Sequence, residues 1–142
     1  MHFKWSEIAP LKPKLRTYCM FKDSINTENY LLKNMSRHKR SIFSQFRIGI
    51  LPLEIESGRY TRKSLDERIC KLCKTDIEDE IHFLCNCISL VDIRMKYLQK
   101  LNIANTLQTI DIFCQIMNHD NCIVVINFVY EMWNKRKNTL FM

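Results

Sequence analysis

The run "CKLCKTDIEDEIHFLCNC", Cys70 to Cys87, constrains this chain more than any other stretch, because it spaces soft donors as a closed metal site does. Cys70 and Cys73 are the pair that a tight turn aims at one ion. His82 and then Cys87 follow, in the order Cys-x2-Cys-x8-His-x4-Cys. Zinc takes four donors tetrahedrally and favours mixed thiolate and imidazole, so this order supplies a complete Cys3His site with no position left for a water. The expected cofactor is Zn²⁺ in a structural role, not a hydrolytic one. Cys85 leaves one ambiguity. It follows His82 by three residues, which on an α-helix puts both on one face, so either Cys85 or Cys87 can be the fourth ligand. The competing reading is a cluster of buried free thiols.

The remaining cysteines bear on compartment. Seven cysteines, an odd number with four of them clustered, argue for reduced thiols and an intracellular setting, nuclear or cytoplasmic. The opening "MHFKWSEIAPLKPK" has no apolar core of signal-peptide length, and the run Cys122 to Ile126 is far short of a membrane span. No membrane partner is expected.

Glycine and proline are scarce, two and three in 142 residues, which disfavours a turn-rich β-sandwich and favours helices. The expected architecture is mainly α with little or no sheet: a helical domain carrying a small inserted Cys3His module. Four stretches make it up. Residues 1–26 form an extended N-terminal segment, since Pro10 and Pro13 keep Ala9 and Lys12 from helical geometry. Residues 27–69 form a basic helical part and loop, 70–88 the zinc module, and 89–142 a C-terminal bundle.

Within the basic part a helical pattern starts near Thr27, a plausible N-cap. In "KNMSRHKRSIFSQFRIGI", Met35, Ile42, Phe43, Phe46 and Ile50 share one arc at about 100° per residue. Lys33, Arg37, Arg40, Ser44 and Arg47 share another. Gly49 and Pro52 stop the helix. From Pro52 to Ile69 the pattern is irregular, with a short extended piece at Arg59–Arg62.

After the cysteines, Ser89 with Asp92 reads as a capping box. It opens a helix that buries Leu90, Ile93, Tyr97, Leu98 and Leu101. Thr106 begins another, with Leu107, Ile110, Phe113, Cys114 and Met117 inward. "DNCIVVINFVYEMWNKRKN" has a strand-like Ile/Val run, but Asp120, Asn127, Glu131, Asn134 and Asn138 form a single polar stripe, so a nearly buried helix is preferred. Lys135, Arg136 and Lys137 suit its negative C-terminal end.

Charge is unevenly spread. Residues 1–74 hold 16 Lys/Arg against 7 Asp/Glu, and residues 75–142 hold 6 against 8. A basic half of this kind fits a polyanionic partner, RNA or DNA, met through phosphates. The candidate contacts are Lys33, Arg37, Arg40 and Arg47 on the stripe, and Arg59, Arg62, Lys63, Arg68, Lys71 and Lys74 on the flank of the metal module. Asp76, Glu78, Asp79 and Glu80 would make an acidic lip that repels phosphate, or sit in the first turn of a helix carrying His82. Phe83 and Leu84 are expected to anchor the module.

Taken together, "RSIFSQFRIGILPLEIESGRY…RICKLC…EDEIHFLCNC", preceded by "KPKLRTYCMFK", resembles the C-terminal zinc-binding region of non-LTR retrotransposon polyproteins, downstream of their reverse transcriptase domain. The resemblance runs from about Leu11 to Arg94 and more faintly over the last helix. Its most specific parts are Gly58-Arg59, Cys70-x2-Cys73 and Glu78-Asp79-Glu80-x-His82-Phe83-Leu84-x-x-Cys87. In that pattern the fourth ligand follows the histidine by five positions, which selects Cys87. The resemblance implies a non-catalytic accessory module that helps a polymerase hold nucleic acid, with a reverse transcriptase domain as a second partner.

Catalysis by the chain itself is not expected. It contains no Asp-Asp pair, no identifiable endonuclease or RNase H carboxylate set, no Ser/His/Asp set, no glycine-rich phosphate loop and hence no small-molecule substrate. His2, His38 and His119 stand apart from any ligand pattern. Cys19, Cys114 and Cys122 read as small apolar fillers. Phe43 and Phe46 belong to the core arc, and Trp5 and Tyr18 are candidates to staple the N-terminal segment. The alternatives are a zinc-stabilised protein-interaction module, docking through its last helix and acidic loop, and a retroelement remnant without a selected role.

Overall fold

A computed structural model describes residue 15 and residues 17–22, 27–104 and 107–141. Ala9, Pro10, Lys12 and Pro13, with His2, Trp5 and Thr106, lie outside these described residues. The chain is mainly helical, as expected. Its sheet content among the described residues is one isolated antiparallel bridge, Ile69 with Ile77.

Among the described residues, the N-terminal part is helical where an extended segment is expected, and a break separates the helical pattern near Thr27 from the helix of the basic stripe. Tyr18–Phe21 forms a short helix, α1, and Asn29–Leu32 a single 3-10 turn. Helix α2, Arg37–Ile48, begins only after a break, with Ser36 accepting a hydrogen bond from the Lys39 amide at 3.2 Å. The reason lies in Glu28. Its backbone is extended and its carboxylate is held by Tyr18, Lys22 and Arg47, so the chain folds back onto α1 at the point where a helix from Thr27 would have continued. The end of α2 follows the sequence reading: Gly49 takes φ 79°, a left-handed closure that glycine adopts without a Cβ clash. Ile42, Phe43 and Phe46 are buried, as their arc requires.

Glu54–Tyr60 is helix α3, not an extended piece. Its pattern looked irregular because one side is covered by a cation. A Cβ at Gly58 would lie 2.5 Å from Arg68 Cγ, and the Arg68 guanidinium donates to the carbonyls of Ile55 (3.0 Å) and Lys63 (3.0 and 3.2 Å). Hydrophobic periodicity cannot register such a contact.

Helix α4, Val91–Lys100, buries Leu90, Ile93, Tyr97, Leu98 and Leu101 as expected. The Ser89–Asp92 capping box does not form. The Leu90 amide already bonds to the Cys87 carbonyl in a 3-10 turn over Ile88–Leu90, so winding starts before Ser89 and no side chain caps α4. Helix α5, Thr109–Met117, presents Ile112, Phe113, Ile116 and Met117 to the core, while Leu107 and Ile110 are 39% and 55% exposed. The helix is thus rotated from the expected face, because it packs against the ligand-bearing turn and α1.

Helix α6, Cys122–Leu140, is the central element and packs against both α2 and α4. Val125, Ile126, Phe128, Val129, Met132 and Trp133 are buried, and Phe128 stacks on Tyr97 with centroids 5.0 Å apart. Among the described residues, no single helix is long and apolar enough to cross a membrane. The pair α5 and α6 has that length jointly, but it bends by 118° and its apolar residues form the core.

Candidate metal centre

Two local devices bring four donors together. The first is a knuckle at Cys70–Lys74. The Cys70 amide donates to the Asp76 carbonyl at 2.8 Å and the Glu78 amide to the Arg68 carbonyl at 3.0 Å, which sets two short extended pieces side by side. The Lys74 amide then closes on the Cys70 carbonyl at 2.9 Å, with Lys74 itself at φ 60°. Cys70 and Cys73 consequently face the same way.

The second device is a widened helical turn. Asp79 Oδ1 accepts from the His82 amide at 2.7 Å and starts the turn. The His82 carbonyl then accepts from the Cys87 amide at 2.7 Å, an i to i+5 bond, so His82–Asn86 is a π-helical turn. In an α-helix, Cys85 would share the face of His82. The wider turn brings Cys87 to that face.

The result is a closed cluster. The ligand atoms of Cys70, Cys73, His82 and Cys87 all lie within 4.8 Å of one another, and the four residues can hold a metal ion. Cys70 Sγ and Cys87 Sγ are 3.9 Å apart, and Cys73 Sγ and His82 Nε2 are 3.3 Å apart. Tetrahedral zinc with bonds of about 2.0–2.3 Å sets such edges at roughly 3.5–3.8 Å, so these two separations lie within a few tenths of an ångström of what that ion requires. Cys85 is not in the cluster; burial pushes its thiol up to about 12, where it stays protonated.

The four donors conflict when no cation is counted among them. Cys70 is pushed up to about 12, first by its bond with Cys87 and then by burial, while the same bond draws Cys87 below the ordinary thiol range. At His82, burial opposes the charged form, but the thiols of Cys70 and Cys73 outweigh it and the imidazole is raised. The donors thus share protons within one hydrogen-bonded set, and a bound cation would displace those protons.

The expected acidic lip is reduced to Asp76, exposed, and Asp79, half-buried at the start of the turn carrying His82. Glu78 and Glu80 are 1% and 0% exposed. Glu78 is gripped by Arg136, Nε at 2.8 Å and Nη2 at 2.7 Å, and also accepts the Glu54 amide at 2.8 Å. Arg136 is therefore a buried partner from α6, not a cation serving the helix end. Phe83 and Leu84 are both fully buried, and Phe83 meets Phe46 at 5.8 Å, so they anchor the module as expected. Arg94 was missed: it is 7% exposed and donates to the carbonyls of Leu84 and Cys87 at 2.9 and 2.7 Å. Its only sequence signal was its place in the apolar face of α4, where a charge is out of pattern.

The candidate nucleic-acid contacts divide sharply. Arg47 is buried at 5%, bonded to Glu28 and the Met117 carbonyl and enclosed by the rings of Tyr18, Phe21, Tyr30 and Phe43; it has no phosphate-facing surface. Replacing Arg47 by Met is expected to lower stability by about 2–3 kcal/mol in urea unfolding, the scale of lost charged hydrogen bonds. Arg68 is spent on backbone carbonyls. Lys33 precedes α2, and its carbonyl accepts from Arg40 at 3.1 Å. Arg37 and Arg62 are exposed, and Arg59 pairs with Glu56 at 2.8 Å and lies over Tyr60.

Lys63 and Lys71 converge on the buried Glu54, at 3.9 and 3.3 Å. They border a groove of about 400 Å³ whose lining includes Lys137, Trp133, Leu140 and Phe141, the last 82% exposed. Among the other residues, Cys114 and Cys122 are half-buried against the core, and His119 is half-buried with a ring nitrogen 3.0 Å from the Leu101 carbonyl. Tyr18 does staple its segment to the bundle, with the Arg47 guanidinium of α2 5.7 Å from its ring centroid and its hydroxyl on Glu28. No family model, curated protein or solved structure matches this chain, and the reading of the centre rests on its own geometry.

Proposed function

We propose that this chain is a non-catalytic, zinc-stabilised module that binds the phosphate backbone of RNA or DNA, of the kind found at the C-terminus of non-LTR retrotransposon polyproteins. Its metal would be held by Cys70, Cys73, His82 and Cys87, and four protein donors fill a tetrahedral shell. The observation that carries the nucleic-acid reading is the groove beside the knuckle, where Lys63, Lys71 and Lys137 surround a wall of Trp133, Leu140 and Phe141. Three cations beside an apolar wall suit a strand whose phosphates and bases are both accessible, with Lys63 and Lys71 exchanging their contacts to Glu54 for phosphate. The stripe contributes at most Lys33, Arg37 and Arg40, since Arg47 is internal.

The rival protein-docking reading has less surface to draw on, with Asp76 and Ile123 exposed on its two proposed faces. Most apolar residues of α6 are core, and Glu78 and Glu80 are interior.

The test is a binding titration against a short single strand at two salt concentrations. Three phosphate contacts predict an affinity loss of about 20-fold between 50 and 200 mM salt. Replacing Lys63, Lys71 and Lys137 together by Ala should abolish most of that salt dependence with helicity retained. Affinity unchanged in the triple variant would sink the groove as the contact surface; affinity lost only in Arg37→Ala/Arg40→Ala would place the surface on α2.

A further inference from the structure

Several charged side chains are buried around the cysteine cluster, among them Glu78 at 1% exposure, Arg136 at 5%, Arg94 at 7% and Glu80 at 0%. The first two neutralise each other through their twin hydrogen bonds. Arg94 has no such partner. Among the described residues, no carboxylate lies within 4.0 Å of its guanidinium. Its Nε and Nη2 donate to the carbonyls of Leu84 and Cys87, at 2.9 and 2.7 Å. Those bonds satisfy donors but do not cancel a charge.

A lone buried cation is strongly unfavourable, and this one is fixed against the turn that carries two of the four donors. The bond from its Nη2 to the Cys87 carbonyl at 2.7 Å sets the guanidinium beside one of the four donor residues. A divalent ion held by three thiolates and one neutral imidazole carries one net negative charge. That charge is available to offset Arg94, as Arg136 offsets Glu78.

We infer that Arg94 is the buried counter-ion of the metal–thiolate centre, stabilising the loaded state through its charge and disfavouring the empty one. This rests on the reading of the cluster as a metal site and adds a residue that the donor spacing does not reveal. Arg94 is also a positioning residue, since its two bonds hold the π-helical turn from which His82 and Cys87 project. The two roles make opposite demands on the metal-free protein. A clamp stabilises the turn whether or not a cation is bound. A counter-ion is a liability once the negative charge has gone.

The test compares Arg94→Met with the wild-type chain, using zinc and a competing chromophoric chelator as the probe. Arg94→Met should weaken zinc binding by about 10–100-fold, the range for residues that support metal ligands. Metal-stripped Arg94→Met should unfold at the same or higher urea concentration than the stripped wild type. Unchanged zinc affinity overturns the inference. So does equal destabilisation of the stripped and loaded forms, which would make Arg94 a clamp alone. Should Arg94→Met fail to fold even with zinc, Arg94→Lys and Arg94→Gln decide. Lys keeps the charge and should hold zinc within a few-fold of wild type; Gln keeps a carbonyl-directed donor without charge and should not. Equal affinities for those two overturn the counter-ion role. Failure of the metal reading itself looks different, because the wild-type chain would then take up no zinc.

Discussion

Removing the metal, by a strong chelator or by Cys70→Ser, is expected to collapse the cooperative unfolding transition or lower its midpoint by well over about 10 °C. Structural zinc supplies roughly 10–16 kcal/mol of apparent binding energy, against a total stability of about 5–15 kcal/mol for an ordinary domain. The loss should not stay local. Cys70 and Cys87 are each 1% exposed, and Phe83 and Leu84 lie between them in the chain with no exposure at all. Phe83 and Phe113 both pack on Phe46, so loosening the turn opens the interface among α2, α5 and the knuckle. Adding Cys73→Ser to Cys70→Ser should cost little more, because the ion is already gone. The measurement is thermal unfolding with and without chelator, beside metal content of the purified protein. A Cys70→Ser variant with wild-type midpoint and metal content would show that the four donors hold nothing.

The second large effect lies at the Glu78–Arg136 pair, which joins the knuckle to α6 across 58 residues of chain. Arg136→Met leaves a carboxylate at 1% exposure without its cation, a change that costs about 3–5 kcal/mol for a buried pair. The carboxylate also lies 3.7 Å from Cys70 Sγ, so once that sulfur becomes a thiolate two like charges face each other unscreened. Arg136→Met should therefore destabilise the metal-loaded protein more than the stripped one. Adding Glu78→Gln should recover a good part of the loss, since the uncompensated charge is removed with its partner gone. A urea double-mutant cycle measures the coupling, and near-additive single and double variants would show that the pair is energetically idle.

These two sites show how differently the parts of this protein could be read. The donor set was legible because metal ligation within a knuckle is local: Cys70, Cys73, His82 and Cys87 lie within one short stretch, and their spacing reflects turn geometry. Gly49 and α6 were legible for a similar reason, since a helix stop and a helical stripe are written in neighbouring residues. The choice between Cys85 and Cys87 was not decided by residue spacing alone, because it depends on the i to i+5 bond that widens the turn. Resemblance pointed to Cys87, and the geometry places that residue in the cluster.

The arginines mark the limit. Arg40, Arg47, Arg68, Arg94 and Arg136 are interchangeable as letters in a basic sequence. Only packing made Arg47 the centre of an aromatic cage, Arg68 a clasp over Gly58, Arg94 a buried charge beside the thiols and Arg136 the partner of Glu78. The face of α5 shows the same limit in apolar form: Ile110 and Ile112 are equally hydrophobic, and the turn and α1 decided which was covered. What the chain determines alone is what neighbouring residues can settle, namely periodicity, turn chemistry and donor spacing. Which charge is buried, and against which partner, belongs to contacts between residues far apart in sequence, and those exist only once the helices have packed.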